Sequence, residues 1–462
     1  MSFLETQSAK GLIKEAKLDA VKIGAGETYL PALGVFLGGT PLQIGALSTL
    51  PSLIGAIAQS SGMWLAEKVR SRRQLSIRLI RTQALLCLPI AVIPFAFESG
   101  WYAVAVLICV AALYQITIGM LAPVWSSLAG DIIPPTSRGE FFGFRNKWMA
   151  ILTFVGVFFA GQVMHYCAER KMTEWGFLVI MTLAGIARYL SASPLSKVSD
   201  PVLHVPHEAK FSFWQFISRA KHSNFVKFVF FVSFMNFSAA ISGPYFAMYM
   251  LNNLSYSYHE YTLVVAAVML AQFLVMRSWG AISDQFGNRK ILTVCGTLVS
   301  FNPLLWLISS KLWFVILVQM YSGIFWAGFS LAAANFVFDA VSVSKRARCF
   351  AYQAIINGVL VFAGSLLGGF LVTQVPSTWG RQLAYFVEPS PFLVLFAISG
   401  VLRAFGVLFI LPTFKEVRQV ESIRGHQLLI RISSVRPIWD ATFAFVSNSY
   451  EVVSGRRRGR GR

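Results

Sequence analysis

Charge is scarce in this chain: 13% of its 462 residues are Asp, Glu, Lys or Arg, against 56% that are hydrophobic. Soluble domains carry about 25% charged residues, so an ordinary globular domain is excluded. Cysteine is scarce too. Cys87, Cys109, Cys167, Cys295 and Cys349 stand singly, without a C-x-x-C, which argues against a disulfide framework or a cysteine metal site. The chain has no P-loop, G-x-S-x-G, H-E-x-x-H or glycine-rich dinucleotide turn, so ATP hydrolysis and the common catalytic constellations are not expected. An integral-membrane enzyme would need acids or histidines clustered within its spans, and no such cluster is evident in the sequence. His204 and His207 (HVPH) have no companion ligands and read as linker histidines. No cofactor or metal is expected. The N-terminus, MSFLETQSAKGLIKEAK, is too polar for a signal peptide.

What fills the chain is apolar runs of about 20 residues, enough for a helix to cross a hydrocarbon core of about 30 Å. The class is an all-α membrane protein. Twelve spans are predicted: about 18–38, 42–66, 76–97, 102–128, 147–168 and 175–193, then about 225–251, 260–283, 291–309, 313–338, 350–374 and 391–412. They imply an N-terminal cytoplasmic segment (1–17), a six-helix half (18–193), a linker (194–224), a second six-helix half (225–412) and a basic tail (413–462). The linker stretch FSFWQFISRAKH has the aromatic and cationic residues of a short helix lying on the membrane surface.

Lys and Arg are unevenly placed. The loops after spans two, four, six, eight and ten hold Arg70, Arg72, Arg73, Arg138, Arg145, Lys197, Arg289, Lys290, Lys345, Arg346 and others. The alternate loops hold little beyond Arg170, Lys171, Lys311 and Arg381. The basic loops and both termini are therefore expected in the cytoplasm, and much of the net charge of +20 is topological. The tail ends in GRRRGRGR; anionic lipid attracts such cations at about 1 kcal/mol each near the surface. No aromatic stacking platform accompanies it, so nucleic acid is not an expected partner. The composition is that of a bacterial inner-membrane protein.

Two phrases occur twice. DIIPPTSRGEFFGFRNK at 131–147 and DAVSVSKRARCFAYQAI at 339–355 each begin with an acid at the end of an apolar run and place an arginine seven residues on. WLAEKVRSRRQLS at 64–76 and GAISDQFGNRKIL at 280–292 form a second pair, in which aligning Arg72 with Arg289 sets Glu67 opposite Asp284. Both offsets are just over 200 residues, which indicates an internal duplication. The segment Gly280-Ala-Ile-Ser-Asp284-Gln-Phe-Gly287-Asn-Arg289-Lys290 resembles the loop signature of the major facilitator superfamily, G-x-L-x-D-x-x-G-x-[RK]-[RK]. The first-half copy departs from it, with Met63, Glu67 and Arg70 where Gly, Asp and Gly are expected. Arg70 takes a positive-φ turn less cheaply than glycine does. Over residues 18–412 the resemblance implies two pseudo-symmetric six-helix halves around a central cavity, rocking between inward- and outward-open states.

Asp131 and Asp339 end their helices at the negative end of the macrodipole, where a lone anion costs about 0.3–1 kcal/mol. Each wants a cation, and Arg138 or Arg346 is close in sequence. Together with Glu67, Arg72, Asp284 and Arg289 they are expected to form cytoplasmic gating pairs; the plainer alternative is a set of solvated interface charges. Glu27, in KIGAGETYLPAL, lies about 13 Å into the first span at 1.5 Å per residue, flanked by Gly24 and Gly26. An ionisable group at that depth is a functional candidate. Burial favours the protonated form of a carboxyl, which makes Glu27 the proton-coupling candidate, or else a structural glutamate bonded to a neighbouring helix. Arg188 and Arg277 lie nearer the cytoplasmic ends and are expected to snorkel. Tyr29, Trp125, Tyr245 and Trp326 are of a type to stack on an organic substrate. Asn236, Gln272, Asn335 and Asn357 are candidates for the cavity wall, although Asn and Gln also join helices together.

The expected function is secondary active transport of a small organic solute, amphiphilic or cationic, coupled to protons. Export by antiport stands ahead of uptake by symport. A non-transporting sensor or scaffold with the same fold is the alternative left open by the irregular first-half signature and the tail.

Overall fold

The computed structural model describes residues 3–201, 216, 223–341, 343–376, 379 and 387–418, without the side chains of 60, 135 and 343–348. The linker histidines, most of FSFWQFISRAKH and the tail beyond 418 lie outside the described residues. Among those described, every regular element is helical. In chain order the first half holds α1 (Gln7–Ala25), α2 (Leu30–Phe36), α3 (Pro41–Val69), α4 (Arg72–Ala96), α5 (Trp101–Ile132), α6 (Arg138–Glu169) and α7 (Thr173–Leu195). The second half holds α8 (Asn224–Ser242), α9 (Tyr245–Met248), α10 (Tyr258–Phe286), α11 (Asn288–Leu305), α12 (Leu312–Ala340), α13 (Val343–Gln374) and α14 (Pro391–Phe405).

Ten of the described stretches are long and apolar enough to cross a membrane. The other two of the twelve expected spans are helical where expected but differ in kind. The first is broken into α1 and α2, and α11 opens with Asn288-Arg289-Lys290. Helix α1 also starts at Gln7 instead of near Leu18. Thr6 caps it, accepting from the Ala9 amide at 3.2 Å, and Ala9, Leu12, Ile13, Ala16 and Ala20 recur at helical spacing and are buried. Most of the expected N-terminal cytoplasmic segment is thus packed helix; its charges at Lys10, Lys14 and Lys17 hid the apolar stripe. At the end of α3, Arg70 adopts a left-handed conformation (φ 57°, ψ 11°), at about 1–2 kcal/mol for a side-chain-bearing residue; Gly287 at the end of α10 also has a positive φ but a different turn (φ 83°, ψ 159°).

The two halves repeat each other contact for contact. Helix α3 packs on α5 as α10 packs on α12, α4 on α7 as α11 on α14, α1 on α6 and α7 as α8 on α13 and α14. The halves meet through α3 against α13 and α6 against α10, themselves a symmetric pair.

Those meetings are concentrated at the end away from the basic loops. There one apolar cluster draws on both halves, including Tyr29, Leu47, Met164, Tyr245, Tyr261 and Phe392. Ser365 donates to the Gly45 carbonyl at 2.7 Å, Tyr29 and Thr262 share a hydrogen bond of 2.7 Å, and Gln162 meets His259 at 3.1 Å. Gly45 and Gly161 make the approach possible, because a Cβ on either would collide with Tyr245 and Ser365 or with Thr262. At the basic end the apolar residues form separate clusters confined to one half or the other, one in the first and a large and a small one in the second. A Cβ at Gly130, Gly139, Gly143 or Gly280 would meet open space. The bundle is closed at one end and open at the basic end.

Gly161→Leu is expected to part the closed end. Overpacking costs about 1–3 kcal/mol, so hydrogen exchange across residues 258–265 rises about tenfold or more, while exchange in α4 and α11 stays unchanged.

Candidate functional site

The site begins with a break in the first span. Helix α1 stops at Ala25, a 3-10 turn runs over Glu27–Tyr29, and Pro31 opens α2. Proline at the start of a helix is tolerated, whereas further inside it removes a backbone bond. The break sets Glu27 against the interior of the first half. Its Oε1 lies 2.8 Å from Lys22 Nζ and accepts from the Tyr114 hydroxyl at 2.5 Å.

From there the charges run in a chain. Lys22 Nζ is 3.0 Å from Asp19, Asp19 is 2.8 Å from Arg188 Nη1, and the same Nη1 is 3.1 Å from Glu15. Arg188 Nε donates to Gln83 of α4. Residues 15, 19 and 22 share one face of α1 because they follow the i, i+4, i+7 pattern. Glu15, Lys22 and Arg188 are each 3% exposed. Three carboxylates therefore meet two cations in direct contact. A third cation, Arg145 of α6, acts on Glu15 and Asp19 through space and lies 4.5 Å from the ring centre of Trp125. Glu15 Oε2 has no hydrogen-bond donor among the described residues. Beside Glu27 is a cavity of about 10 Å³ bordered by Lys22, Cys87, Tyr114 and Met181, room for about one water.

Two sequence expectations change here. Arg188 does not snorkel: it is buried, and its guanidinium is consumed by Glu15, Asp19 and Gln83. Acids do cluster within a span, though paired with cations instead of standing free as a catalytic group. Glu27 is likewise not solitary. Arg277, by contrast, is exposed.

The other candidates separate into three groups. Tyr29 and Tyr245 are fully buried in the closed end, with their hydroxyls bonded to Val157 and Ser365 carbonyls, so they hold the seal and do not face an open cavity. Asn236 and Asn357 join α8 to α13 at 2.7 Å, and Asn335 donates to Ser283 at 3.3 Å. Trp125, Gln272 and Trp326 are half-buried.

At the basic end the partners differ from those the sequence spacing suggested. Asp131 pairs with Arg72 at 2.7 Å, not with Arg138. Arg138 donates instead to the carbonyls of Gly130 and Ile133, capping the last turn of α5 as a cation near a helix C-terminus does. Asp339 pairs with Arg418 at 2.8 Å, and Asp284 lies 3.6 Å from the same arginine. Arg289 uses its backbone amide, bonded to Glu416 at 2.7 Å. Glu67 is exposed and joins none of these pairs. The Arg346 side chain lies outside the described residues.

Residues 228–453 match the family described as Major Facilitator Superfamily. That match covers just under half of the chain. The fold of the chain is similar to the crystal structure of a point mutant of the nucleoside transporter NupG, with a TM-score of 0.65 at 15% identity, covering 88% of this chain and 100% of that one. A bacterial homologue of the human lysosomal transporter Spinster, inward-facing and unoccupied, gives 0.60 at 13% identity over 88% of this chain and 96% of that one. By sequence, the chain is 31% identical over 112 residues to the class B tetracycline resistance protein of Escherichia coli, which is 24% of this chain and 28% of that protein. The class C protein of the same organism is 30% identical over 119 residues, again 28% of its length. The matched stretch is thus little more than a quarter of these relatives.

The functional residues missed by sequence reasoning were Glu15, Asp19, Lys22 and Arg403. The available signal was charge of opposite sign at helical spacing in α1, facing a lone arginine in α7. Arg403 of α14 stands where Arg188 stands in the first half: Arg188 reaches Gln83 and Arg403 reaches the Val299 carbonyl at 3.1 Å. Its other donor goes to Ser242 at 3.0 Å, and no acid pairs with it among the described residues.

The two arginines should therefore respond differently to removal. Arg188→Met strands Glu15 and leaves Asp19 with Lys22 alone, and is expected to cost about 3–5 kcal/mol, whereas Arg403→Met strands no charge and costs far less. Thermal midpoints of both variants in detergent check this; equal losses would contradict it.

Proposed function

We propose that the chain is a proton-coupled secondary transporter that exports an amphiphilic or cationic organic solute across the bacterial cytoplasmic membrane by alternating access. The observation that carries this reading is the charge network built into the α1 break of a bundle open at one end. A buried carboxylate in excess of its contacting cations is a place where a proton relieves an uncompensated charge. In this reading Glu27 is the coupling residue, because the break gives it the Tyr114 hydroxyl and the adjoining water-sized cavity. The cations Lys22 and Arg188 lie against Asp19, Glu15 and Glu27, so a proton taken up by one carboxylate changes the charge of a connected group.

The basic end is the cytoplasmic end by the positive-inside bias, with both termini there, and the described state is then inward-open. Residues 18–193 and 225–412 act as two rigid halves joined by 194–224. For the bundle to face outward, Gly45 and Gly161 must leave their partners and the separate basic-end clusters of the two halves must meet. Asp131–Arg72 and the Asp284/Asp339 pair act as gating charges, and Asn236, Gln272, Trp326, Asn335 and Asn357 as cavity positions. Anionic lipid holds the basic tail. Export is favoured over uptake by the names of the sequence relatives, which are resistance proteins.

Proteoliposomes holding wild type or Glu27→Gln, loaded with a pH dye and challenged with tetracycline, organic cations, anions and sugars, test the reading. An organic cation or tetracycline is expected to evoke proton movement in the wild type, with a loss of at least tenfold in Glu27→Gln. Flux that ignores pH and the substitution removes the coupling claim. Silence across the panel favours a sensor or scaffold.

A further inference from the structure

The two halves fasten their third helices in the same way. In the first, Asp200, just past α7, accepts the backbone amide of Arg73 at 3.4 Å and the Ser71 hydroxyl at 2.5 Å. In the second, Glu416, just past α14, accepts the backbone amide of Arg289 at 2.7 Å. Both pairs are 216 residues apart, Arg73 to Arg289 and Asp200 to Glu416, so this is one device written twice. An acid at a helix N-terminus satisfies an orphan amide and the positive end of the dipole.

The halves differ in how they meet the acid that ends the fourth helix. In the first half Arg72, itself 2% exposed, supplies a full charge to Asp131 at 2.7 Å. The contacts shift the register by one from the sequence alignment, matching Arg73 and not Arg72 with Arg289, so the equivalent position in the second half is Asn288, whose amide donates to Asp339 at 2.7 Å but brings no charge. The charge arrives from elsewhere. Arg418, two residues after Glu416, places Nε 2.8 Å from Asp339 and Nη1 3.6 Å from Asp284. The segment carrying it is tied down again by Asn224, which donates to the Lys415 carbonyl at 2.9 Å and accepts its amide at 2.7 Å. In sequence, the residue two past Asp200 is Val202, so the first half has no such cation.

We propose that residues 415–418 form a clasp in which Arg418 replaces the arginine missing at position 288, and that it sets the balance between the open and closed basic end. While Arg418 pairs with Asp339 and lies beside the exposed Asp284, it offsets their charge toward the opposing half, where Arg138 and Lys147 stand in the first turns of α6. Releasing the clasp uncovers Asp339 and leaves both carboxylates without their cation, which favours closure against those residues. The tail is thereby coupled to gating through one side chain. This rests on the alternating-access reading above.

The test is a distance measurement by spin-label spectroscopy on full-length protein in lipid nanodiscs, with labels on cysteines at Gly139 and Gly280, in a background whose native cysteines are replaced by serine. Arg418→Gln is expected to raise the short-distance population at least threefold over the parent. Adding Asn288→Arg, which gives the second half its own arginine, is expected to restore the parental distribution. Two populations that Arg418→Gln leaves unchanged would overturn the clasp while keeping alternation. A single long distance in every variant would overturn both. A shift that Asn288→Arg fails to reverse, in protein that elutes as a single species, would overturn the claim that Arg418 acts by replacing that charge.

Discussion

A charge taken into a lipid-embedded bundle must meet an opposite charge or a dense set of dipoles, because water is not there to solvate it. Much of the first half follows from that constraint. Helix α1 and the turn after it carry Glu15, Asp19, Lys22 and Glu27 into the interior, and they do so only because Arg188, Gln83 and Tyr114 come from three other helices to receive them. The packing of α1 against α6 and α7 is then fixed in register, since a slip of one residue would strand several charges at once. The second half has the same helices and the same arginine position, but the face of α8 toward it offers Ser242 and no charged residue. Its Arg403 is served by a carbonyl, a serine and the Trp326 ring, 5.8 Å away.

The copies therefore differ in where their charges lie. The first buries a network of acids and cations in its interior. The second buries Arg403 without an acid among the described residues and pairs its acids at the basic end, Asp284 and Asp339 with Arg418. Small residues at Gly45 and Gly161 let the halves close tightly at the far end, so the same bundle can be sealed on one side while the other stands open.

Much of the fold was legible because it rests on period and repetition. Apolar runs located the helices, and the phrases at 131–147 and 339–355 exposed the duplication. The start of α1 was not legible, since Lys10 and Lys14 on its exposed face and Lys17, which stacks on Trp148 of α6, masked the stripe from Ala9 to Ala20. The candidate site was only partly visible. Glu27 stood out by depth and by its glycines, but a sequence does not say which distant side chains meet, so Arg188 read as a snorkelling cation. Proximity in sequence misled at the gate as well: Arg138 is nearest to Asp131 along the chain, yet a cation just past a helix end bonds the free carbonyls, and Arg72 reaches the acid from the next helix instead. Arg418 lay beyond the last span, where nothing in the local pattern marks a partner for Asp339.

The central claim is that the α1 network exchanges a proton for the transported solute. It is tested most directly by adding solute to unbuffered, detergent-solubilised protein and recording pH with an indicator dye. The account predicts proton release on binding in the wild type and none in Glu27→Gln. Binding without release, or equal release from both proteins, would contradict it.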